Sequence, residues 1–336
     1  MQANNTFDCQ NLDEDLRFLD ENGYLVVKSV ISQEEIDKVK SRVAEVRKHQ
    51  GARWGEFGTS LLREKFIKNN STIKLKLYDF LFMAVRSVLR LVIKLVPQVR
   101  QAMSLYTRVP MDYKHTSTLQ REIRQMMLCI VEQMDDPKDR RVCDLVNCGE
   151  VFDQFYQNEK ILALVKYLIG DDFKLSSMNL RDPQKGIKNQ DMHSDYPWAV
   201  RGEKYYACNA LWLLDDMTEE SGATRVICGS HKWGGLPYQG MANVKDNHPD
   251  EILVEAKAGD VLFVNSHVWH GGTAKHSDSK RAIIQSFFVH RAHVPQQFHR
   301  FQLTSETAER MTEASLDILD IPNFKKAEKV NLKSVS

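Results

Sequence analysis

A histidine and an aspartate one residue apart, His193-Ser194-Asp195, are followed far downstream by His270 and then Arg281. This ordered set restricts the folds open to the chain. On a β-strand, side chains at i and i+2 leave the same face, so His193 and Asp195 can approach one point together. A third ligand arriving from so far along the chain requires strands that fold back over one another. Two imidazoles and one carboxylate on one face of a metal ion leave its other positions open, the ligand pattern of non-haem Fe(II) centres. Arg281 follows His270 by eleven residues, far enough to lie on the next strand of a small barrel. Its planar fork can there hold a carboxylate through two parallel hydrogen bonds.

Chance explains a bare His-x-Asp. With 11 histidines in 336 residues, composition alone yields roughly one such triplet, and the chain has three. His248-Pro249-Asp250 sits in a polar run where Pro249 favours a turn over a paired strand. His276-Ser277-Asp278 lies between Lys275 and Lys280 and reads as an exposed hairpin loop. Only the first triplet is followed by a histidine on a strand-like segment and then a basic anchor. His270 is favoured as third ligand because Val261–Val264 is a short apolar strand entered through the turn Ala258-Gly259-Asp260. Gly271 and Gly272 then permit close approach of backbone or ligand. His267 is the runner-up. His231, in Gly229-Ser230-His231, reads as part of a turn, and His290, His293 and His299 read as solvated.

Around this set, helices come first and short strands later. Tyr24–Val27 reads as a strand, and Ser32 with Glu35 forms a capping box opening a helix marked by Ile36, Val39, Val43 and Val46. From Ile73 to Val96 a mostly apolar helix carries Asp79, Arg86, Arg90 and Lys94 on one narrow face, and Pro97 stops it. It reads as a largely buried helix with its charges outward. The alternative is a basic amphipathic surface: residues 62–100 hold nine Lys/Arg against Glu64 and Asp79, suiting a membrane surface or an anionic or lipid-like substrate. No run of about 18 uncharged apolar residues marks a membrane span. Glu159–Ile169 reads as a helix stopped by Gly170. Strands dominate from Phe173 to Val289, with Tyr205–Leu214 apolar enough to be buried on both sides. The expected organisation is an N-terminal strand and helix over 1–60, a helical insertion or lid over 61–172, a jelly-roll core over 173–305, and a C-terminal helix and tail over 306–336. This is an α+β fold with a double-stranded β-helix, cupin-like core.

Composition agrees. Hydrophobic residues make up 42% of the chain, enough for a large core, and a net charge of +1 points to no nucleic-acid partner. The six cysteines form no C-x-x-C pair, which suits free thiols in a reducing, cytoplasmic setting. The N-terminus has no basic region leading into an apolar core, so no secretory signal is expected.

The stretch from about Asn179 to Val289 resembles the phytanoyl-CoA dioxygenase family of Fe(II)/2-oxoglutarate oxygenases. The resemblance runs through His193-Ser194-Asp195-Tyr196, Leu214-Asp215-Asp216, Glu220-Ser221-Gly222-Ala223, Cys228-Gly229-Ser230-His231-Lys232, Ala258-Gly259-Asp260-Val261-Leu262-Phe263, His270-Gly271-Gly272 and Arg281. Phe18–Val27 resembles the family's first element. The resemblance implies iron held by His193, Asp195 and His270, and 2-oxoglutarate anchored by Arg281. It implies O₂ as second cosubstrate, ascorbate as a candidate reductant, and hydroxylation or other oxidation of an unactivated C–H bond with release of succinate. Gly272 departs from the small polar residue sometimes found there, so any side-chain help to the cosubstrate must come from elsewhere. Related halogenases lack the carboxylate that Asp195 supplies. Tyr196 and Trp198, just past the metal pair, are candidates to line the substrate mouth, and packing roles serve equally well. Two other classes remain open: a non-catalytic cupin-like metal-binding protein, and a membrane-associated protein working through residues 73–96.

Overall fold

The computed structural model describes residues 6–7, 12–50, 139–202, 204–297 and 299–321, together with seven positions between 88 and 99. The chain opens with β1 (Thr6–Phe7), α1 (Leu12–Asn22), β2 (Tyr24–Val27) and α2 (Gln33–Gln50). After β3 (Asp139–Val142) and α3 (Glu159–Ile169) come β4 (Phe173–Pro183), β5 (Ala207–Leu213), β6 (Thr224–Ile227) and β7 (Glu251–Val254). β8 (Val261–Asn265), β9 (Trp269–Gly272) and β10 (Ile283–His290) follow, then α4 (Ser305–Arg310) and α5 (Glu313–Ile318).

The strands form a seven-stranded sheet in the order β1-β2-β8-β5-β10-β4-β3 and a three-stranded sheet in the order β7-β6-β9. Except for β1 beside β2, every pairing is antiparallel. The two sheets do not close into the small barrel expected from the sequence. β2 pairs with β8, so the N-terminal element belongs to the same sheet as the strands read as the catalytic core. β3 is a strand inside the stretch 61–172 that the sequence suggested was helical, and it forms the far edge of the large sheet.

Period-two alternation gives the large sheet two different faces. On β5, Cys208, Ala210 and Trp212 join Ile36, Val39, Phe155, Leu164 and Val165 in one core beneath α2 and α3. Leu211 and Leu213 instead meet Val226 and Val254 of the small sheet in a second core. Every residue of β5 is buried, as its unbroken apolar run predicts. Trp212 donates its indole N–H to Ser286 Oγ at 3.2 Å and packs edge-to-face on Phe155 at 5.1 Å.

Local signals set the flanking elements. Ser32 and Glu35 form the expected capping box, with the Ser32 backbone N–H donating to Glu35 Oε2 at 2.7 Å and Glu35 N–H donating to Ser32 Oγ at 3.3 Å. Asn158 caps α3, and Gly170 ends it. Gly259 has φ +92°, and a Cβ there would stand 2.7 Å from the Ile31 carbonyl oxygen. That close approach is used, since Gly259 O accepts from Val30 and Ile31 N–H and ties the start of α2 to the sheet.

Arg86, Arg90 and Lys94, and most of residues 73–96, lie outside the described residues, as do Cys9 and Cys129. Val88, Leu91 and Leu95 are described; they are helical, and all three are exposed. A largely buried helix is not what these three positions form. Among the described residues no helix is long and apolar enough to cross a membrane.

His299 corrects another expectation: it is buried rather than solvated, at 2% exposure. Burial pushes its pKa down to about 3, and does the same to His267. An unfolded histidine titrates near 6.5, so the unfolded chain takes up these two protons first as the pH falls. Stability is therefore complete above about pH 6.5 and is lost toward acid, by about 1.4 kcal/mol per pH unit per imidazole between roughly pH 6 and pH 4. Urea midpoints at pH 7 and pH 5 test this: His299→Leu should remove its share of the decline and leave the rest.

Candidate metal centre and its cavity

The inner faces of the two sheets surround a cavity of about 180 Å³. Its wall follows the strand period: Ser177, Asn179 and Arg181 on β4, Ile283, Gln285 and Phe287 on β10, Asn209 and Leu211 on β5. Thr224 on β6 and His270 and Gly272 on β9 line it from the small sheet.

His193, Asp195 and His270 meet in this cavity, and one ligand atom from each lies within 4.8 Å of the others. Asp195 Oδ1 is 3.7 Å from His193 Nε2, and Asp195 Oδ2 is 3.7 Å from His270 Nε2. Donors about 2.1 Å from one ion stand roughly 3–4 Å apart, so this set fits a divalent metal. The first pair does not ride on a regular strand, as its i/i+2 spacing suggested. His193 makes a single antiparallel bridge to His270, with N–H···O bonds of 2.9 and 2.8 Å in the two directions, and the chain then bends away. That bridge brings the imidazoles together, with ring centroids 4.5 Å apart.

Both histidines are oriented in the same way. His193 Nδ1 lies 2.8 Å from Asp191 O and His270 Nδ1 lies 3.0 Å from Val268 O. A backbone carbonyl only accepts, so each Nδ1 carries the proton and each Nε2 presents its lone pair to the cavity. Burial, and then the neighbouring His270, lowers the His193 pKa and keeps that imidazole neutral. For Asp195, burial pushes the pKa up, but His270, His193 and a hydrogen bond from Asn209 outweigh it and hold the carboxyl below its usual range.

The Asn209 bond, from Nδ2 to Asp195 Oδ2 at 3.0 Å, was not read from the sequence. A carboxylate requires a donor, which fixes the Asn209 amide orientation. Asn209 lies on β5, and only the fold places it against Asp195. Asn209→Ala is expected to weaken Fe(II) binding by about 10- to 100-fold without unfolding the protein, as measured by anaerobic calorimetric titration.

Arg281 lies two residues before β10 rather than within a strand. It is buried at 7% exposure, lines the cavity, and places Nη2 3.7 Å from Met217 Sδ. Thr224 Oγ1 reaches the same sulfur at 3.5 Å. Thr224 is paired with Gly272 across β6 and β9, so a hydroxyl faces the cavity opposite the glycine. Gly272 itself is packed by Gln190, whose Oε1 accepts from Gly272 N–H at 2.8 Å and would stand 2.9 Å from an added Cβ. A larger residue at 272 would displace Gln190 from the cavity wall.

The remaining sequence motifs act as clamps on these elements. Asp215 binds Lys40 of α2 at 2.6 Å and accepts from Ala282 N–H at 2.9 Å, next to Arg281. Ser230 Oγ donates to Ile227 O and accepts from Trp269 N–H, fixing the strand that carries His270. His231 sits in the expected turn, its Nε2 3.0 Å from Asp20 O. Arg225, fully buried, donates to Gln190 O at 2.6 Å and to Glu251 at 3.2 Å, holding the approach to His193.

Other candidates stand apart. His267 Nε2 accepts from Tyr206 N–H at 3.2 Å and is not in the ligand cluster. His248 and Asp250 lie beside a turn, and His276 and Asp278 lie in an exposed loop. Tyr196 is buried with Ala207 and Phe287, and Trp198, 44% exposed, packs edge-to-face on it at 5.5 Å. Neither is among the residues bounding the cavity.

Two facing sheets that carry two histidines and one carboxylate around a shared cavity define a jelly-roll protein with a facial metal-ligand set. The chain belongs to the phytanoyl-CoA dioxygenase (PhyH) family, whose model matches residues 19–283. It is 31% identical over 161 residues to Dioxygenase af480 of Aspergillus fumigatus, covering 46% of this chain and 49% of that protein. It is 28% identical over 152 residues to the Fe(II)/2-oxoglutarate-dependent dioxygenase nvfF of Aspergillus novofumigatus, covering 41% and 47%. The chain thus spans about half the length of these curated relatives. In fold it is similar to HygX from Streptomyces hygroscopicus, solved with nickel and 2-oxoglutarate bound, with a TM-score of 0.50, 16% identity, and coverage of 82% of this chain and 86% of that one.

Proposed function

We propose that this protein is an Fe(II)- and 2-oxoglutarate-dependent dioxygenase that oxidises an unactivated C–H bond of a small organic molecule, with decarboxylation of 2-oxoglutarate to succinate. The observation that carries this reading is the convergence of His193, Asp195 and His270 in one cavity that Arg281 also lines. Family membership supports it.

In this reading the two Nε2 atoms and the Asp195 carboxylate hold Fe(II), which supplies O₂ activation when bound. The backbone carbonyls of Asp191 and Val268 keep each imidazole in the ligating tautomer, and Asn209 steadies the carboxylate. Arg281 pairs with the distal carboxylate of 2-oxoglutarate. Thr224 and Gln190, beside Gly272, supply the polar side-chain contacts that Gly272 cannot. Leu211, Ile283 and Phe287 give the otherwise polar cavity one apolar wall against which the substrate's hydrocarbon part can lie. Tyr196 backs Phe287 of the cavity wall, and Trp198, packed on Tyr196 and exposed, is the candidate for an outer substrate mouth. Among the described residues Cys143, Cys148, Cys208 and Cys228 are free thiols, the state expected of a reducing compartment; ascorbate is the reductant to include in assays.

An aerobic assay for succinate across a metabolite panel tests this. Turnover should require Fe(II), disappear with a chelator and return when Fe(II) is restored. Metal binding without succinate from any mixture of Fe(II), 2-oxoglutarate and panel compound would leave a non-catalytic metal protein.

A further inference from the structure

The β4 side of the cavity carries a hydrogen-bonded set of neutral side chains. Strand register puts Asn179 of β4 opposite Gln285 of β10, and Ser177 opposite Phe287, with Asn209 of β5 on the other side of Phe287. All five line the cavity, as does Gln296 from the chain after β10. The pairing of β4 with β10 skips Ser176, a bulge between Phe287 and Phe288. Ser176 instead binds the segment that follows β10. Its carbonyl accepts from Gln297 N–H at 2.7 Å, and its Oγ accepts from Gln296 N–H at 2.8 Å. The bulge thereby fastens Gln296 and Gln297 to β4.

These bonds fix which way the amides point. A backbone N–H can only donate, so the 3.0 Å bond from Met178 N–H identifies Gln297 Oε1, and Gln297 Nε2 is then the atom that donates to Asn179 Oδ1 at 2.6 Å. Asp144 N–H donates to the same Asn179 oxygen at 3.2 Å. Two separate donors thus occupy Asn179 Oδ1 and leave Nδ2, with its two N–H groups, as the end that can serve a ligand. Ser177 Oγ donates to Gln296 Oε1 at 2.7 Å, which leaves Gln296 Nε2 in the same way. A carbonyl oxygen has two lone pairs for such donors. Neutral amides satisfy it with no charge to compensate, whereas a carboxylate is held best by charged donors. Arg141 and Arg181, on the same wall, have interactions of their own within the fold.

We propose that Asn179, with Gln296, determines substrate specificity by donating hydrogen bonds to a carbonyl oxygen on an uncharged part of the substrate. This rests on the dioxygenase reading and names the substrate class for the same cavity: a neutral ketone, ester, lactone or amide with a hydrocarbon body. Phe287 stands between Ser177 and Asn209, whose amide holds Asp195. Neighbouring strands lie about 4.8 Å apart, so the recognised oxygen sits on the order of 10 Å from the Asn209–Asp195 end of the cavity. A substrate gripped by Asn179 would lay its hydrocarbon part across Phe287 and meet the metal ligands several bonds away from its carbonyl. Recognition and oxidation then fall at different ends of the molecule.

The test uses the full chain loaded with Fe(II) and saturating 2-oxoglutarate under anaerobic conditions. Three cyclohexyl probes are titrated, with binding read by ligand-observed NMR: N-cyclohexyl-2-pyrrolidone with its neutral carbonyl, the cation of N-cyclohexylpyrrolidine, and the anion cyclohexanecarboxylate. The pyrrolidone should bind most tightly. Asn179→Ala should weaken it by about 3- to 10-fold, the loss expected for one neutral hydrogen bond. Asn179→Asp is the sharper variant. Its Oδ1 can still accept from Asp144 N–H and Gln297 Nε2, so the links to β4 stay, while the remaining amide donor becomes an acceptor. It should lose pyrrolidone binding by about tenfold or more, with the circular dichroism spectrum and the 2-oxoglutarate Kd unchanged. No pyrrolidone binding in the wild type, a preference for the cation or the anion, or undiminished pyrrolidone binding in Asn179→Asp would overturn the proposal. A raised 2-oxoglutarate Kd in Asn179→Asp would also overturn it, by assigning the residue to the cosubstrate. Failure of the wild type to bind 2-oxoglutarate would instead sink the dioxygenase reading, so the two failures are distinct.

Discussion

Asp195→Ala is expected to abolish succinate formation and to weaken Fe(II) binding by more than about 100-fold. Loss of a group that merely orients a ligand costs about 10- to 100-fold in metal affinity, and loss of a ligand costs more. Asp195 also brings the only negative charge of the three, so its removal leaves two neutral imidazoles facing a dication. The fold should survive, because the His193–His270 bridge is made by backbone atoms and does not involve the carboxylate. Anaerobic Fe(II) titration, succinate assay and Tm separate these effects. Asp195→Glu keeps the charge but pushes the carboxylate a methylene further out and away from Asn209, so it should recover only part of the affinity. Wild-type metal binding in Asp195→Ala would remove the metal centre from this cavity.

Arg281→Leu is expected to raise the 2-oxoglutarate Kd by about 30- to 1,000-fold, since truncating one partner of a buried charge pair costs roughly 2–4 kcal/mol. Fe(II) binding should be unchanged, because Arg281 lies against Met217 and is not in the ligand cluster. Arg281→Lys keeps the charge but loses the planar fork, so an intermediate loss of roughly tenfold is expected. Titration of 2-oxoglutarate into the Fe(II)-loaded variants measures both. An unchanged Kd in Arg281→Leu would place the cosubstrate anchor elsewhere, with Arg181 the next guanidinium to test.

Much of the scaffold was legible because its signals are local. The Ser32–Glu35 capping box, α3 between Asn158 and Gly170, and the apolar run of β5 each depend on neighbours in sequence. His193, Asp195, His270 and Arg281 were legible as an ordered set of chemically matched residues. Asn209, Gln190 and Thr224 were not, since an asparagine, a glutamine or a threonine carries no signal until its partner across the cavity is known. His299 was misread for the same reason: a basic neighbourhood in sequence suggested solvent, while the fold buries it.

Residue chemistry and order along the chain by themselves singled out two imidazoles, a carboxylate and a guanidinium able to serve a metal and an anion, and required the chain to fold back on itself to bring them together. Tertiary structure alone decided how they meet: an isolated backbone bridge joins His193 to His270, Asn209 steadies Asp195, and β3 sets Arg141 beside Arg181. The reason is physical. Ligand type is a property of a side chain, whereas coordination and charge pairing depend on distances of a few ångströms between residues that only sheet register makes neighbours.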